Sequence, residues 1–212
     1  MIVMNEVMSY LDELIPNPVC ELEFHKDYEL LMAVMLSAQT TDKRVNMVTR
    51  VLFQKYPTLE DLCKANIEDI MQIIKPIGTF HKKASNVILI AKSLLEEHDG
   101  VVPNDRKYLE SLPGVGRKTT NVVLSMLYNE PCIAVDTHVS RVSKRLGFAR
   151  INDDVLIIEK KLMKKIPKDQ LNKMHHQLLL FGRYYCKAQN PSCETCKLQG
   201  MCKFYKKKGS HF

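Results

Sequence analysis

Apolar residues recur at intervals of three and four along almost the whole chain, and that period narrows the fold more than any other feature. In "EVMSYLDEL" they are Val7, Met8, Leu11 and Leu14; in "DKRVNMVTRVLFQKY" they are Val45, Val48, Leu52 and Tyr56. Each set falls on one face of a 3.6-residue helix. "YELLMAVMLSA" is apolar nearly all round, as a helix buried on every side would be. "NIEDIMQII" opens on Asn66 as a cap and stops before Pro76. "KKASNVILIAKSLLEEHDG" ends at Gly100, where a left-handed glycine closes a helix. "HVSRVSKRLG", "VLIIEKKLMKKI" and "QLNKMHHQLLLFGRYY" read as further helices, and no segment alternates with period two between hairpin turns. The chain is predicted to be all-α, with about ten helices.

At 212 residues it can bury a sizeable core. No run approaches the roughly 18 apolar residues of a membrane span, so no membrane partner is expected. The start, "MIVMNEVMSYLDELIPNP", lacks the basic region and small-residue cleavage site of a secretory signal. A cytoplasmic protein is predicted.

The formal net charge is +7, and its distribution says more than its size. From residue 181 onward there are seven Lys or Arg and one acidic residue, Glu194, which puts +6 in that stretch. Such a stretch is either a solvated tail or a surface for a polyanion. Seven cysteines fall into two sets. Cys20, Cys63 and Cys132 stand alone and read as small core hydrophobes. Cys186, Cys193, Cys196 and Cys202 crowd into "CKAQNPSCETCKLQGMC". Without a secretory signal, a metal site suits them better than disulfides. Four thiolates serve zinc or an iron–sulfur cluster; a structural zinc site more often shows two Cys-x2-Cys knuckles, and this stretch has one.

The segment "LPGVGRKTTNVVLSMLY" carries the sharpest chemistry. "PNDRKYLES" before it makes a short helix with Asn104 as cap, and Val122, Val123, Met126 and Leu127 give the following helix its buried face. Between them Pro113 ends the first helix, while Gly114 and Gly116 allow positive φ and close approach of another backbone. The turn aims amides outward at a helix start, which suits an anion and, for a phosphodiester, ignores base sequence. An ordinary helix–helix turn has the same Gly-x-Gly pattern. Lys118 distinguishes the two. It stands in the first helical turn, where the helix dipole disfavours a cation, and a neutral amine is a nucleophile. Asp136, in "VDTHVSRVSKRLGF", precedes a helix and reads as an N-cap; its carboxylate could also stabilise positive charge developing on a sugar.

"LPGVGRKT", the aspartate of "VDTHVSR" 18 residues after the lysine, and Cys-x6-Cys-x2-Cys-x5-Cys come in an order and spacing that resemble the endonuclease III family of DNA glycosylases. "LSAQTTD" at 36–42 and "IGTFHKKA" at 77–84 extend the similarity over nearly the whole chain. The resemblance implies a two-domain helix-hairpin-helix glycosylase fold. Residues 22–131 form a six-helix domain with the hairpin at about 105–128. Residues 1–21 and 132–212 form a second domain, and a catalytic cleft lies between the two. It implies a base-excision-repair glycosylase with abasic-site lyase activity that acts, as a monomer, on duplex DNA carrying damaged bases, usually oxidised pyrimidines, or abasic sites.

By the same resemblance Lys118 attacks C1′ of a flipped-out nucleotide and forms a Schiff base, and β-elimination then cleaves 3′ to the sugar. Asp136 assists, and Gln39 fills the space the base vacates. Gly114, Val115 and Gly116 bind the DNA backbone. Cys186, Cys193, Cys196 and Cys202 hold a [4Fe-4S] cluster in the loop 186–202. Its charge of about −2 would be partly balanced by Lys187, Lys197, Lys203 and Lys206. Two departures from the family pattern stand out. Thr79 occupies a place where a bulky apolar wedge is common, leaving that work to Phe80, another loop or Gln39. The loop from Cys186 to Cys193 carries a single lysine, fewer basic groups than some relatives have. Adenine-mismatch glycosylases share the fold but lack this lysine. A hairpin module without catalysis would need neither Lys118 nor Asp136, and a ferredoxin-like carrier would not need the hairpin.

Overall fold

In the computed structural model, which describes residues 4–209, regular structure is entirely helical: twelve α-helices, one 3-10 turn and one π-helical turn among the described residues. Among the described residues no helix is long and apolar enough to cross a membrane. The chain divides into two compact units, one spanning Cys20–Tyr128 and the other formed by the residues up to Val19 together with those from Asn129 onward.

The Cys20–Tyr128 unit is built around α2 (Asp27–Leu36), in which nine of ten residues are buried, the all-round burial its sequence predicts. Leu30, Leu31 and Leu36 are fully enclosed, each worth about 1.5–3 kcal/mol in transfer from water. Around it pack α3 (Asp42–Lys55), α6 (Phe80–His98) and α8 (Arg117–Tyr128), with α4 (Leu59–Cys63) and α5 (Ile67–Ile74) covering α6 and α7 (Arg106–Ser111) paired with α8. Val45, Val48 and Leu52 turn the apolar face of α3 inward.

The helix ends follow local chemistry. Asn66 Oδ1 accepts from Glu68 N at 2.8 Å and caps α5. α6 ends with Asp99 and Gly100 both left-handed, and Gly100 N reaches back to Leu94 O at 2.9 Å. The cap of α7 is Asp105 rather than the expected Asn104: the helix starts at Arg106, so Asp105 holds the extended conformation and accepts from Lys107 N and Tyr108 N. The periodicity also passed over α4, five residues long. Its signal was the spacing of Thr58 and Asp61, which close a reciprocal capping box.

The other unit packs α1 (Met4–Leu14) against α11 (Leu171–Leu180), and α9 (Thr137–Leu146) against α10 (Val155–Lys165), α11 and α12 (Lys203–Gly209). Val7 and Leu11 meet Val139, Val142, Ile158, Leu162 and Leu178 in one apolar core. α11 continues into the π-helical turn Phe181–Tyr185, which leads into the cysteine-rich segment. Gly182 lets that turn approach α9 closely: a Cβ there would lie 2.9 Å from His138 Cβ.

Candidate functional site

The Leu112–Gly116 segment turns the chain from α7 into α8. Leu112 and Val115 are buried and anchor the turn, and Val115 N donates to Leu112 O at 3.1 Å. Arg106 Nη1 donates to Asn121 Oδ1 at 2.7 Å and fastens one helix to the other. Gly114 adopts φ +79, and a Cβ on it would meet Asn86 Nδ2 at 2.4 Å and Met35 Cγ at 3.3 Å. Gly116 uses no positive φ, contrary to the expectation for both glycines, and a Cβ on it would face open space. Its value therefore lies in what can come near it. Both glycines are exposed, and their amide protons have no acceptor among the described residues. Lys118, at the second position of α8, is exposed as well, and no hydrogen bond or ion pair engages its ammonium among the described residues.

Gln39 lies in the turn after α2, exposed and left-handed at φ 60. Thr79 heads α6, also exposed and left-handed at φ 57, with its hydroxyl donating to Gly78 O at 2.6 Å. A β-branched residue at positive φ is strained by about 1–3 kcal/mol. Beside it Phe80 and His81 stack with centroids 4.0 Å apart. Lys83, four residues into α6, is 4 % exposed, and burial lowers its pKa. Its ammonium donates to Leu36 O at 2.9 Å and Ala38 O at 2.7 Å. The sequence pattern gave no sign of that contact.

In the other unit, Asp136 caps α9, its Oδ1 accepting from Val139 N at 2.7 Å. Oδ2 makes no hydrogen bond among the described residues.

Cys186, Cys193, Cys196 and Cys202 line one small pocket together with Tyr10 and Phe204. Burial pushes the Cys196 thiol up, and the neighbouring Cys186 and Cys202 add to this. Among the described residues no three Cys, His, Asp or Glu side chains converge as the ligands of one ion would. A structural zinc draws four sulfurs to about 2.3 Å of a single atom, whereas a cubane spreads its thiolates over several irons. A thiol-only set lining one pocket has the donor chemistry that either site requires.

The basic groups expected to face the cysteines are partly engaged elsewhere. Lys197 pairs with Glu13. One cation set against a cysteine sulfur is Arg145 of α9, whose Nη1 lies 3.3 Å from Cys186 Sγ. Arg141, one turn earlier, donates to Cys186 O at 3.0 Å and Gly182 O at 2.6 Å. Beside α9 a cavity of about 910 Å³ is lined by Lys144, Arg150, Lys161, Lys203 and Lys207. Lys161 is paired with the carboxylate of Asp153, which also accepts from the backbone amide of Arg150 at 2.7 Å.

Residues 32–168 match the model of the HhH-GPD superfamily base excision DNA repair protein. Endonuclease III of Bacillus subtilis is 49 % identical over 196 residues, covering 92 % of this chain and 90 % of that protein. The chain belongs to the endonuclease III family. Endonuclease III of Escherichia coli strain K12 is 44 % identical over 202 residues, 95 % of each chain. A solved structure of a trapped endonuclease III–DNA covalent intermediate superposes with a TM-score of 0.92 at 48 % identity, over 99 % of this chain and 100 % of that one.

Proposed function

We infer that the chain is a base-excision-repair DNA glycosylase with abasic-site lyase activity. Its substrate is duplex DNA carrying damaged bases, oxidised pyrimidines first among them, or abasic sites. The observation that carries this reading is Lys118: an exposed, unengaged amine placed directly behind two glycines whose amides are open.

The amides of Gly114 and Gly116 take phosphate oxygens, with the N-terminal dipole of α8 behind them. Val115 contributes by anchoring the turn. Lys118 Nζ attacks C1′ of the extruded nucleotide: the N–C1′ bond forms, the glycosidic bond breaks, and the base departs with the electron pair and takes up a proton. Ring opening gives a Schiff base. Loss of a C2′ proton then expels the 3′ phosphate oxygen, and the strand is cut on that side. Asp136 commits one oxygen to its helix and keeps the other for the positive charge that develops on the sugar, a stabilisation that needs no reorganisation at the moment of reaction. Gln39 occupies the space left by the extruded base and offsets part of the few kcal/mol that flipping costs. The basic cavity beside α9 favours the phosphate backbone by long-range attraction. Cys186, Cys193, Cys196 and Cys202 would hold a [4Fe-4S] cluster, which supplies a rigid anionic crosslink to the loop between them. The enzyme works as a monomer in the cytoplasm, on the nucleoid when bound to DNA.

Borohydride trapping on an abasic duplex tests the reading. The wild type should form a covalent adduct, and Lys118→Ala should lose adduct and strand cleavage while still binding the duplex. Trapping at the wild-type level in Lys118→Ala would remove the nucleophile from the scheme. Purified protein should contain about four irons per chain; colourless protein with stoichiometric zinc would overturn the cluster.

A further inference from the structure

Lys83 is a buried cation with no carboxylate against it among the described residues. Its ammonium is spent on two backbone carbonyls, Leu36 O and Ala38 O, at the C-terminal end of α2. Burying an ammonium in this way is costly unless its donors are met, and a hydrophobic residue of similar length would fill the volume without that cost. The negative end of α2 and two carbonyl oxygens offset the penalty. A stability role alone gives little reason for the choice.

What the two carbonyls have in common is Gln39. Ala38 directly precedes it, and Thr40 N closes the turn onto Ser37 O at 3.2 Å. That turn forces a non-glycine residue, Gln39, to φ 60, a conformation that persists only where the surroundings over-determine it. Lys83 stands in the first turn of α6, where its amide makes the ordinary helical bond at 3.1 Å to the carbonyl of Thr79, another exposed left-handed residue. Lys83 thus holds the loop of Gln39 with its side chain from the head of α6, just behind the loop of Thr79. Asn86, one turn further along α6 and 7 % exposed, lies against Gly114 of the hairpin. The first two turns of α6 thus adjoin the exposed loops of Gln39, Thr79 and the hairpin.

We propose that Lys83 is a positioning residue for base extrusion: it holds the Gln39 turn in register with the head of α6, so that Gln39 meets the duplex already in its working conformation. The proposal rests on the reading of Gln39 as the group that fills the vacated space. Without Lys83 the two carbonyls lose their donors, the turn relaxes, and Gln39 spends part of its time elsewhere. The cost falls on opening the duplex and not on the bond-breaking step.

The experiment measures single-turnover excision by Lys83→Met, Gln39→Ala and the double variant, on a lesion in a fully paired duplex and on the same lesion in an unpaired bubble. Lys83→Met should slow excision from the paired duplex by about 10- to 100-fold, the scale of a misplacement remote from the chemistry. It should recover to within about 2-fold in the bubble, where no pairing has to be replaced. Added to Gln39→Ala it should cause little further loss, since it acts through the same side chain. Wild-type excision by Lys83→Met on the paired duplex would overturn the proposal. So would an equal loss on both substrates, or losses that multiply in the double variant. Normal excision by Gln39→Ala would instead sink the reading of Gln39, and the proposal with it. If Lys83→Met does not fold, Lys83→Gln, which shortens the donor, carries the same measurements.

Discussion

Arg145 binds Cys186 at both ends of the residue, with Nη1 3.3 Å from the sulfur and 3.2 Å from the carbonyl oxygen. The same guanidinium donates to Lys187 O at 2.6 Å and Ala188 O at 3.1 Å, and lies 4.2 Å from the ring centre of Phe204. α9 thereby fixes the first half of the cysteine segment, whose own sequence has little apolar surface to bury. A planar five-donor fork is needed for this, and an ammonium cannot replace it. Arg145→Lys is therefore predicted to lower both iron content and melting temperature, and Arg145→Ala more so, by about 1.5–3 kcal/mol for hydrogen bonds to a charged donor. Iron per chain and thermal melting check this. Full iron and an unchanged melting point in Arg145→Ala would show that the segment holds itself.

The distances in sequence explain why this contact was not legible beforehand. Periodicity marks "HVSRVSKRLG" as a helix, and it forms α9. It does not say what a long cation on that helix reaches 41 residues later. Lys83 hides in the same way, its acceptors lying 45 and 47 residues away. The hairpin, by contrast, could be read from a short window, because Pro, Gly and a helix start act on their immediate neighbours. Even there Gly114 and Gly116 look alike in sequence, and only Gly114 turns out to need its missing Cβ for the fold.

Asp12 ties α1 to α11 and gives the protein a dependence on acid. Lys173 pairs with its carboxylate at 2.6 Å and Gln177 donates to it at 2.8 Å, and these two hydrogen bonds, Lys173 first, hold its pKa below 3.8. A depressed folded-state value means that the contribution is complete above the ordinary carboxylate range and is lost as pH falls through the folded value. Asp12→Asn should lower stability at about pH 7 by no more than about 1 kcal/mol, because the pair is partly exposed and screened. The difference from wild type should shrink as the pH approaches about 3. Melting curves at the two pH values decide; a constant offset would mean that the charge is irrelevant.

The two glycines of the hairpin should separate grip from fold. Gly114→Ala puts a side chain at φ +79 and against Asn86, which costs at least the roughly 1–2 kcal/mol of the left-handed region, so melting temperature and DNA affinity should fall together. Gly116→Ala meets nothing in the protein and should leave melting within the change of about 0.5 kcal/mol typical of a surface site. Its effect should appear only in binding, weakening damaged and undamaged duplexes by similar factors, since a phosphate contact carries no base information. A Gly116→Ala protein that binds undamaged duplex at full strength would show that the turn does not touch the backbone.

Asp136→Asn is predicted to leave the fold intact and remove the chemistry. Asp136 Oδ1 accepts from Val139 N at 2.7 Å, and an asparagine carbonyl can accept from the same amide, since Asn caps a helix about as well as Asp. The melting temperature should therefore stay close to wild type, and so should affinity for an uncleavable abasic analogue, because the phosphate contacts are assigned to Gly114 and Gly116. On the mechanism inferred above, what the substitution takes away is the negative charge that the free oxygen would offer to the sugar. Losing one preorganised electrostatic group typically costs about 100- to 1000-fold in rate, and single-turnover excision should slow on that scale. Trapping by Lys118 on a preformed abasic site needs no base to leave, so it should suffer less than excision does. Excision at the wild-type rate in Asp136→Asn would reduce the carboxylate to a helix cap and remove it from the proposed mechanism.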